Sequence, residues 1–146
     1  SQLENDVTSP SIATLIDILE CLGTSPRAFF SEDGDRKVVF TQSDMFEKVD
    51  EQHGRITWLV PNAQKNAMEP ILVSLLEGQS TLAQDPHEGE EFGYVLSGSV
   101  FLHTGPKKQR VKTGESFCFH PSTVHYVANA GRTTARFLWV STPPSF

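Results

Sequence analysis

Four side chains able to ligate a metal fall within two short stretches of the chain. The first, Asp85-Pro-His87-Glu-Gly-Glu-Glu91-Phe-Gly-Tyr-Val-Leu-Ser-Gly98, supplies Asp85, His87 and Glu91. The second, Gly114-Glu-Ser-Phe-Cys-Phe-His120-Pro-Ser-Thr-Val-His125-Tyr-Val-Ala-Asn129, supplies His125. Two imidazoles and two carboxylates are hard or borderline donors. They suit a divalent cation of the Zn, Fe, Mn or Ni kind. Without a metal, the same groups would form an internal hydrogen-bonded cluster in which Glu91 pairs with a protonated His87.

The donors need strands to bring them together. Alternate side chains of an extended chain share a face, so Asp85 and His87 can point the same way. A strand from Glu91 onward, rich in Phe92, Tyr94, Val95 and Leu96, places Glu91, Gly93 and Val95 inward and the other three outward. Gly93 leaves room beside Glu91. After the Pro121-Ser-Thr turn, His125 opens a second strand and shares a face with Val127. Gly93, Val95 and Val127 are therefore the expected ligand-lining positions.

These two stretches resemble the paired signature of the cupin superfamily. The first signature is H-x-H, three or four residues, E, six residues, G. The second is G, five residues, P-x-G, two residues, H, three residues, N. His87, Glu91 and Gly98 fit the first, and Gly114, His125 and Asn129 fit the second at full spacing. Asp85 stands where the first His is usual, and His120-Pro121-Ser122 replaces P-x-G. The resemblance implies an all-β fold, a double-stranded β-helix or jelly-roll barrel, holding a metal or a small ligand inside.

The 146 residues suit one compact domain with a small attachment. No apolar run approaches the ~20 residues needed to cross a membrane, and no signal segment opens the chain. Cys21 and Cys118 are far apart and read as two buried thiols of a cytoplasmic protein. A net charge of −6 argues against this stretch holding nucleic acid through a basic surface of its own. No Ser/His/Asp arrangement or phosphate-cradling glycine loop is present.

Residues 1–30 differ from the rest. Ser9 and Pro10 suit a helix start, Ile12, Leu15, Ile16, Leu19 and Leu22 recur at helical spacing, and Gly23 suits its end. Pro26 opens a second short helix that closes with Phe29 and Phe30. This amphipathic segment resembles the end of a phage-repressor-type helix-turn-helix domain. Ser1, Leu3, Glu4, Pro10, Ser11, Leu15, Ile18, Leu22, Gly23 and Phe30 carry the likeness. It implies a longer protein whose other DNA-reading helices lie upstream, with Ser1, Gln2 and Asn5 as candidate DNA contacts. Residues 31–36 read as a polar linker, and 37–146 as the effector-binding barrel. Together with the closing Thr142-Pro-Pro-Ser-Phe146, the chain resembles regulators that join a helix-turn-helix to a cupin.

Strand-like runs are expected at Lys37–Phe40, Arg55–Val60, Ile71–Leu76, Ser99–His103, Gln109–Lys112 and Ala135–Ser141. Met45–Asp50 fits a helical turn or a strand equally. Glu88 and Glu90 are expected outside, and His53, His103 and His120 in structural or surface roles. Lys107, Lys108, Arg110 and Lys112 suit a solvated hairpin or an anion site.

Two functions fit. One is the sensor of a homodimeric bacterial transcriptional regulator that reaches DNA only through the full-length protein. Acidic groups at its pocket favour a cationic effector, such as an amine. The other is a metal-dependent cupin enzyme, a dioxygenase or isomerase. Residues 1–30 favour the sensor, since a free-standing enzyme has no need of them.

Overall fold

Alternation of apolar and polar residues, expected from the pattern around Glu91, runs through the barrel. The computed structural model describes residues 37–146; the expected N-terminal helices, the linker and Ser1, Gln2 and Asn5 lie outside the described residues. Nine strands follow in order: β1 Phe46–Asp50, β2 Gly54–Trp58, β3 Glu69–Leu75, β4 Glu90–Ser97, β5 Ser99–Thr104, β6 Lys107–Lys112, β7 Ser116–Phe119, β8 His125–Asn129 and β9 Ala135–Thr142. They form a six-stranded sheet, β1-β2-β3-β9-β4-β7, and a three-stranded sheet, β6-β5-β8, both antiparallel. Bridges Ser80↔Ala128 and Gln84↔His125 add the 80–84 segment to the free edge of β8. This is an all-β, double-stranded β-helix barrel. Among the described residues no helix is long and apolar enough to cross a membrane.

Strict period two decides what lies inside. On β3, Ile71, Val73 and Leu75 are buried while the residues between are half-exposed. On β9 the buried set is Ala135, Phe137, Trp139 and Ser141. Phe137 and Trp139 pack with Phe117 of β7 at the centre in tilted and edge-to-face pairs, with ring centroids 5.7–6.4 Å apart. Burying each large apolar side chain contributes about 1.5–3 kcal/mol. The hydrophobic effect therefore fixes which face of each strand points in, and the polar residues on that face are carried inside with it.

Three expectations change, and the alternative left open at Met45–Asp50 is resolved. Lys37–Phe40 joins no ladder; Val38 and Val39 are exposed, and the chain passes through a 3-10 turn, Gln42–Asp44, before β1. Consecutive Val residues give β-propensity but no alternation, so no single face can be covered. Met45–Asp50 resolves as strand β1 from Phe46, paired with β2 in the register Phe46↔Trp58. Cys118 is exposed, because on β7 Phe117 takes the inward position and Cys118 the outward one. A hairpin joins β5 and β6, as expected, but β6 begins at Lys107 rather than Gln109, so the turn is Gly105-Pro106 with Thr104 opposite Lys107.

Candidate metal centre and adjoining cavity

His87, Glu91 and His125 converge inside the barrel, their ligand atoms all within 4.8 Å of one another. Glu91 sits on β4 between Ser141 of β9 and Phe119 of β7. His125 opens β8 opposite Thr104 of β5. His87 lies in the connection before β4, anchored by its N–H donating to the Pro121 carbonyl at 3.0 Å. The chain turns from His87 into β4 at Gly89, whose φ is +102°. Any Cβ there would run into the Thr142 carbonyl, so only glycine permits the turn. Glu91 and His125 are fully buried, and His87 is about one-fifth exposed.

One carboxylate oxygen receives both rings. His87 Nε2 lies 2.6 Å and His125 Nε2 2.8 Å from Glu91 Oε2. The other ring nitrogens face backbone carbonyls: His87 Nδ1 is 2.8 Å from Glu88 O, and His125 Nδ1 is 2.9 Å from Thr123 O. A carbonyl only accepts, so each Nδ1 carries a proton and donates it. In the neutral ring Nε2 is then a bare lone pair aimed at a carboxylate. That contact is attractive only if a proton or a cation lies between the two. Burial alone pulls the His125 pKa down. The Glu91 hydrogen bond, the Thr123 carbonyl and the Glu91 charge outweigh it and raise the pKa. A metal would replace that proton, and the two Nδ1–H···O=C bonds would orient the rings as ligands.

The donor set fits a metal on two counts. Two imidazoles and one carboxylate match the facial set of non-haem iron sites and also suit Zn or Mn. Glu91 Oε1, buried with no hydrogen-bond partner, is a spare acceptor.

Asp85 does not join this cluster. It is exposed, and Gln84 takes its place, with Oε1 3.0 Å from His125 Nε2. The reason is register. Gln84 and His125 exchange two backbone hydrogen bonds, at 2.9 and 3.1 Å, and directly opposed antiparallel residues share a face. Gln84 points in, so Asp85 points out. The expected ligand-lining positions are corrected as well. Phe117 fills the space beside Gly93, where an added Cβ would collide with its ring, and Val95 and Val127 lie in the closed core. Glu88, Glu90 and His120 are exposed; His53 reaches the Ser80 carbonyl at 2.9 Å, and His103 stacks on Tyr126.

The open space lies elsewhere. A cavity of about 220 Å³ is walled by Ile56, Trp58, Ile71, Trp139 and Phe146, with Gln84 on its lining. Trp139, one of these wall residues, has a buried and unpartnered Nε1. Asp50, His53 and Lys48 bring charge and polarity to it. Gln84 thus touches both the cavity and His125. The sequence pattern offered no sign of this lining, which is assembled from β1, β2, β3, β9, the 81–84 segment and the last residue. Nor did it mark Glu69, a buried carboxylate that accepts the Ser145 and Phe146 N–H groups at 3.0 and 2.7 Å.

Comparison with known proteins agrees with this architecture. Residues 71–141 match the model of the cupin domain family. The HTH-type transcriptional regulator PuuR of Escherichia coli (strain K12) is 30% identical over 150 residues, spanning 100% of this chain and 80% of that protein. This chain belongs to the family of helix-turn-helix transcriptional regulators that carry a cupin domain. An HTH_3 family transcriptional regulator from Vibrio cholerae superposes with a TM-score of 0.55 at 25% identity, covering 99% of this chain and 78% of that one. The fold is shared with an enzyme too: hydroxypropylphosphonic acid epoxidase from S. wedmorenis gives a TM-score of 0.62 at 21% identity, covering 90% and 74% of the two chains.

Proposed function

We propose that residues 37–146 are the effector-sensing domain of a cytoplasmic, homodimeric, DNA-binding transcriptional regulator. The effector occupies the cavity beside Trp58 and Trp139, and a divalent metal is held by His87, Glu91 and His125. The observation that carries this reading is Gln84, whose side chain lines the cavity while its Oε1 contacts His125. An occupant that moves Gln84 changes the surroundings of the metal ligands and the edge pairing of β8. A small ligand thereby acquires a means of biasing the barrel. Asp50, a carboxylate on the cavity lining, supports an effector that brings positive charge and N–H donors, an amine, over an anion. DNA is reached through the longer protein, with paired recognition helices spaced by the dimer.

Calorimetric titration with a panel of aliphatic amines and carboxylic acids tests this. Binding by an amine, weakened at least ~10-fold by filling the cavity with Ile56→Trp, is the expected result. Operator affinity of the longer protein should respond to the same compound. Binding untouched by Ile56→Trp, or preference for the acids, overturns the assignment. The composition of the triad supports a second reading, a metal-dependent oxygenase or isomerase. Substrate turnover by the iron-loaded chain would favour that one.

A further inference from the structure

The outer face of the six-stranded sheet carries two uncharged rows across three neighbouring strands. Phe92, Val140 and Pro70 form one, and Tyr94, Leu138 and Leu72 the next. Phe92, Tyr94 and Leu96 remain 40–45% exposed although they sit on a central strand. Solvent would ordinarily favour polar side chains on such a face, so three large apolar residues in one file mark a contact surface. The ends of the file are charged and opposite in sign. Glu90 stands at one end of β4, and Arg136 of β9 lies at the level of Ser97 at the other. Both are exposed, and Glu90 accepts the Cys118 thiol at 3.7 Å.

We propose that this face binds a second copy of the chain, about a dyad that crosses the strands at Tyr94 and Leu138. The proposal deepens the homodimer in the function proposed above and says which surface makes it. A two-fold axis relating two packed faces lies in the plane between them. If it runs along the strands, Glu90 meets Glu90 and Arg136 meets Arg136. If it runs across them, each Glu90 end meets an Arg136 end, and Tyr94 packs near its own mate. Tyr94 is about midway between the two charges along β4, so the second arrangement pairs them without a change of register. Six strands ~4.8 Å apart and about six residues long on average give a face of roughly 29 by 20 Å. With side-chain relief this approaches the ~800 Å² per partner of a stable interface. The outer face of the smaller sheet is unsuited to self-association. There Lys108 Nζ lies 4.2 Å and the Arg110 guanidinium 5.5 Å from the Phe101 ring centre, so two copies would bring like charges together.

Sedimentation equilibrium of the whole 146-residue chain tests the surface. The wild type should run at twice its 16.2 kDa mass at micromolar concentration. Tyr94→Lys should raise the dimer dissociation constant at least ~100-fold, because it buries an unpaired charge at the axis. Its outward side chain leaves the core intact, which unchanged circular dichroism verifies. Glu90→Arg and Arg136→Glu should each weaken the dimer ~10-fold, and the double variant should return to within about threefold of wild type. A monomeric wild type overturns the proposal. So does a dimer indifferent to Tyr94→Lys, although that result leaves the sensor with a dimer made elsewhere. Failure of the double variant to recover overturns the dyad across the strands. The sensor reading fails by a different measurement, the effector titration, which does not depend on mass.

Discussion

Glu91→Gln separates what a metal does at this centre from what packing does. Glu91 Oε2 is the atom on which both imidazole Nε2 atoms converge. Exchanging the carboxylate for an amide keeps the shape but removes the only anionic ligand of the triad. Loss of such a ligand weakens metal binding by about 10³-fold, or ~4 kcal/mol. At a metal concentration 100 times the wild-type dissociation constant, binding stabilises the folded state by ~2.7 kcal/mol. For a domain of about a hundred residues this raises Tm by roughly 10 °C. In the variant at the same concentration the shift falls below about 1 °C. With chelator present, the introduced amide N–H donates to an imidazole lone pair, while the Nδ1–H groups keep the Thr123 and Glu88 carbonyls. Metal-free stability should therefore fall by no more than ~1.5 kcal/mol. Glu91→Ala, by contrast, opens a hole beneath the buried His125 ring and the partly exposed His87 ring and should cost ~3–5 kcal/mol with or without metal. The assay is thermal unfolding with and without Zn, Mn, Fe(II) or Ni, paired with calorimetric titration. Equal metal-induced shifts in wild type and Glu91→Gln would refute the assignment of ligands, as would no shift in the wild type with any of these ions.

Asp85→Ala should leave metal affinity within about twofold of wild type and stability within ~0.5 kcal/mol, because the side chain faces solvent; calorimetry and urea unfolding measure both. Gly93→Ala should destabilise by ~2–4 kcal/mol in the same unfolding assay, since its methyl group would overlap the Phe117 ring, itself wedged against Phe137 and Trp139. The His103 pKa is lowered by burial and then by the nearby Lys108 charge, so its neutral ring stacks on Tyr126. A depressed folded-state pKa means stability present above the unfolded value near 6.5 and lost as pH falls through the folded value. His103→Phe should flatten that acid-side loss in a pH series of chemical denaturation curves.

Period-two alternation made half of the centre legible in the sequence. It put Glu91, Gly93 and Val95 inside and Phe92, Tyr94 and Leu96 outside, and the burial of β4 follows it residue by residue. The same logic placed His125 and Val127 on one face. What the pattern could not supply was register between distant segments. Asp85 and Gln84 differ by one position, and only the Gln84↔His125 bridge, 41 residues apart in sequence, selects the glutamine. Gly93 read as empty space because an absent side chain is visible in a sequence while the ring that fills it, from Phe117 on a neighbouring strand, is not. The cavity is harder still to anticipate. Its walls come from segments as far apart as Lys48 and Phe146, none of which marks a cavity by itself.

Access to the centre separates sensing from catalysis. With Glu91 and His125 fully buried, a molecule reaches the triad either past the partly exposed His87 or from the cavity through Gln84. A substrate reacting at a metal must occupy a coordination position, which along the second route requires displacing Gln84 from His125. An effector need only press on Gln84, because the two backbone bonds between Gln84 and His125 already join the cavity wall to the edge of β8. In that case effector and metal change each other's affinity by the same factor, as linkage demands of two sites that share one element. An enzyme with the same layout has no such obligation for its turnover. The shared glutamine thus makes coupling between the two sites the property on which the sensor reading stands.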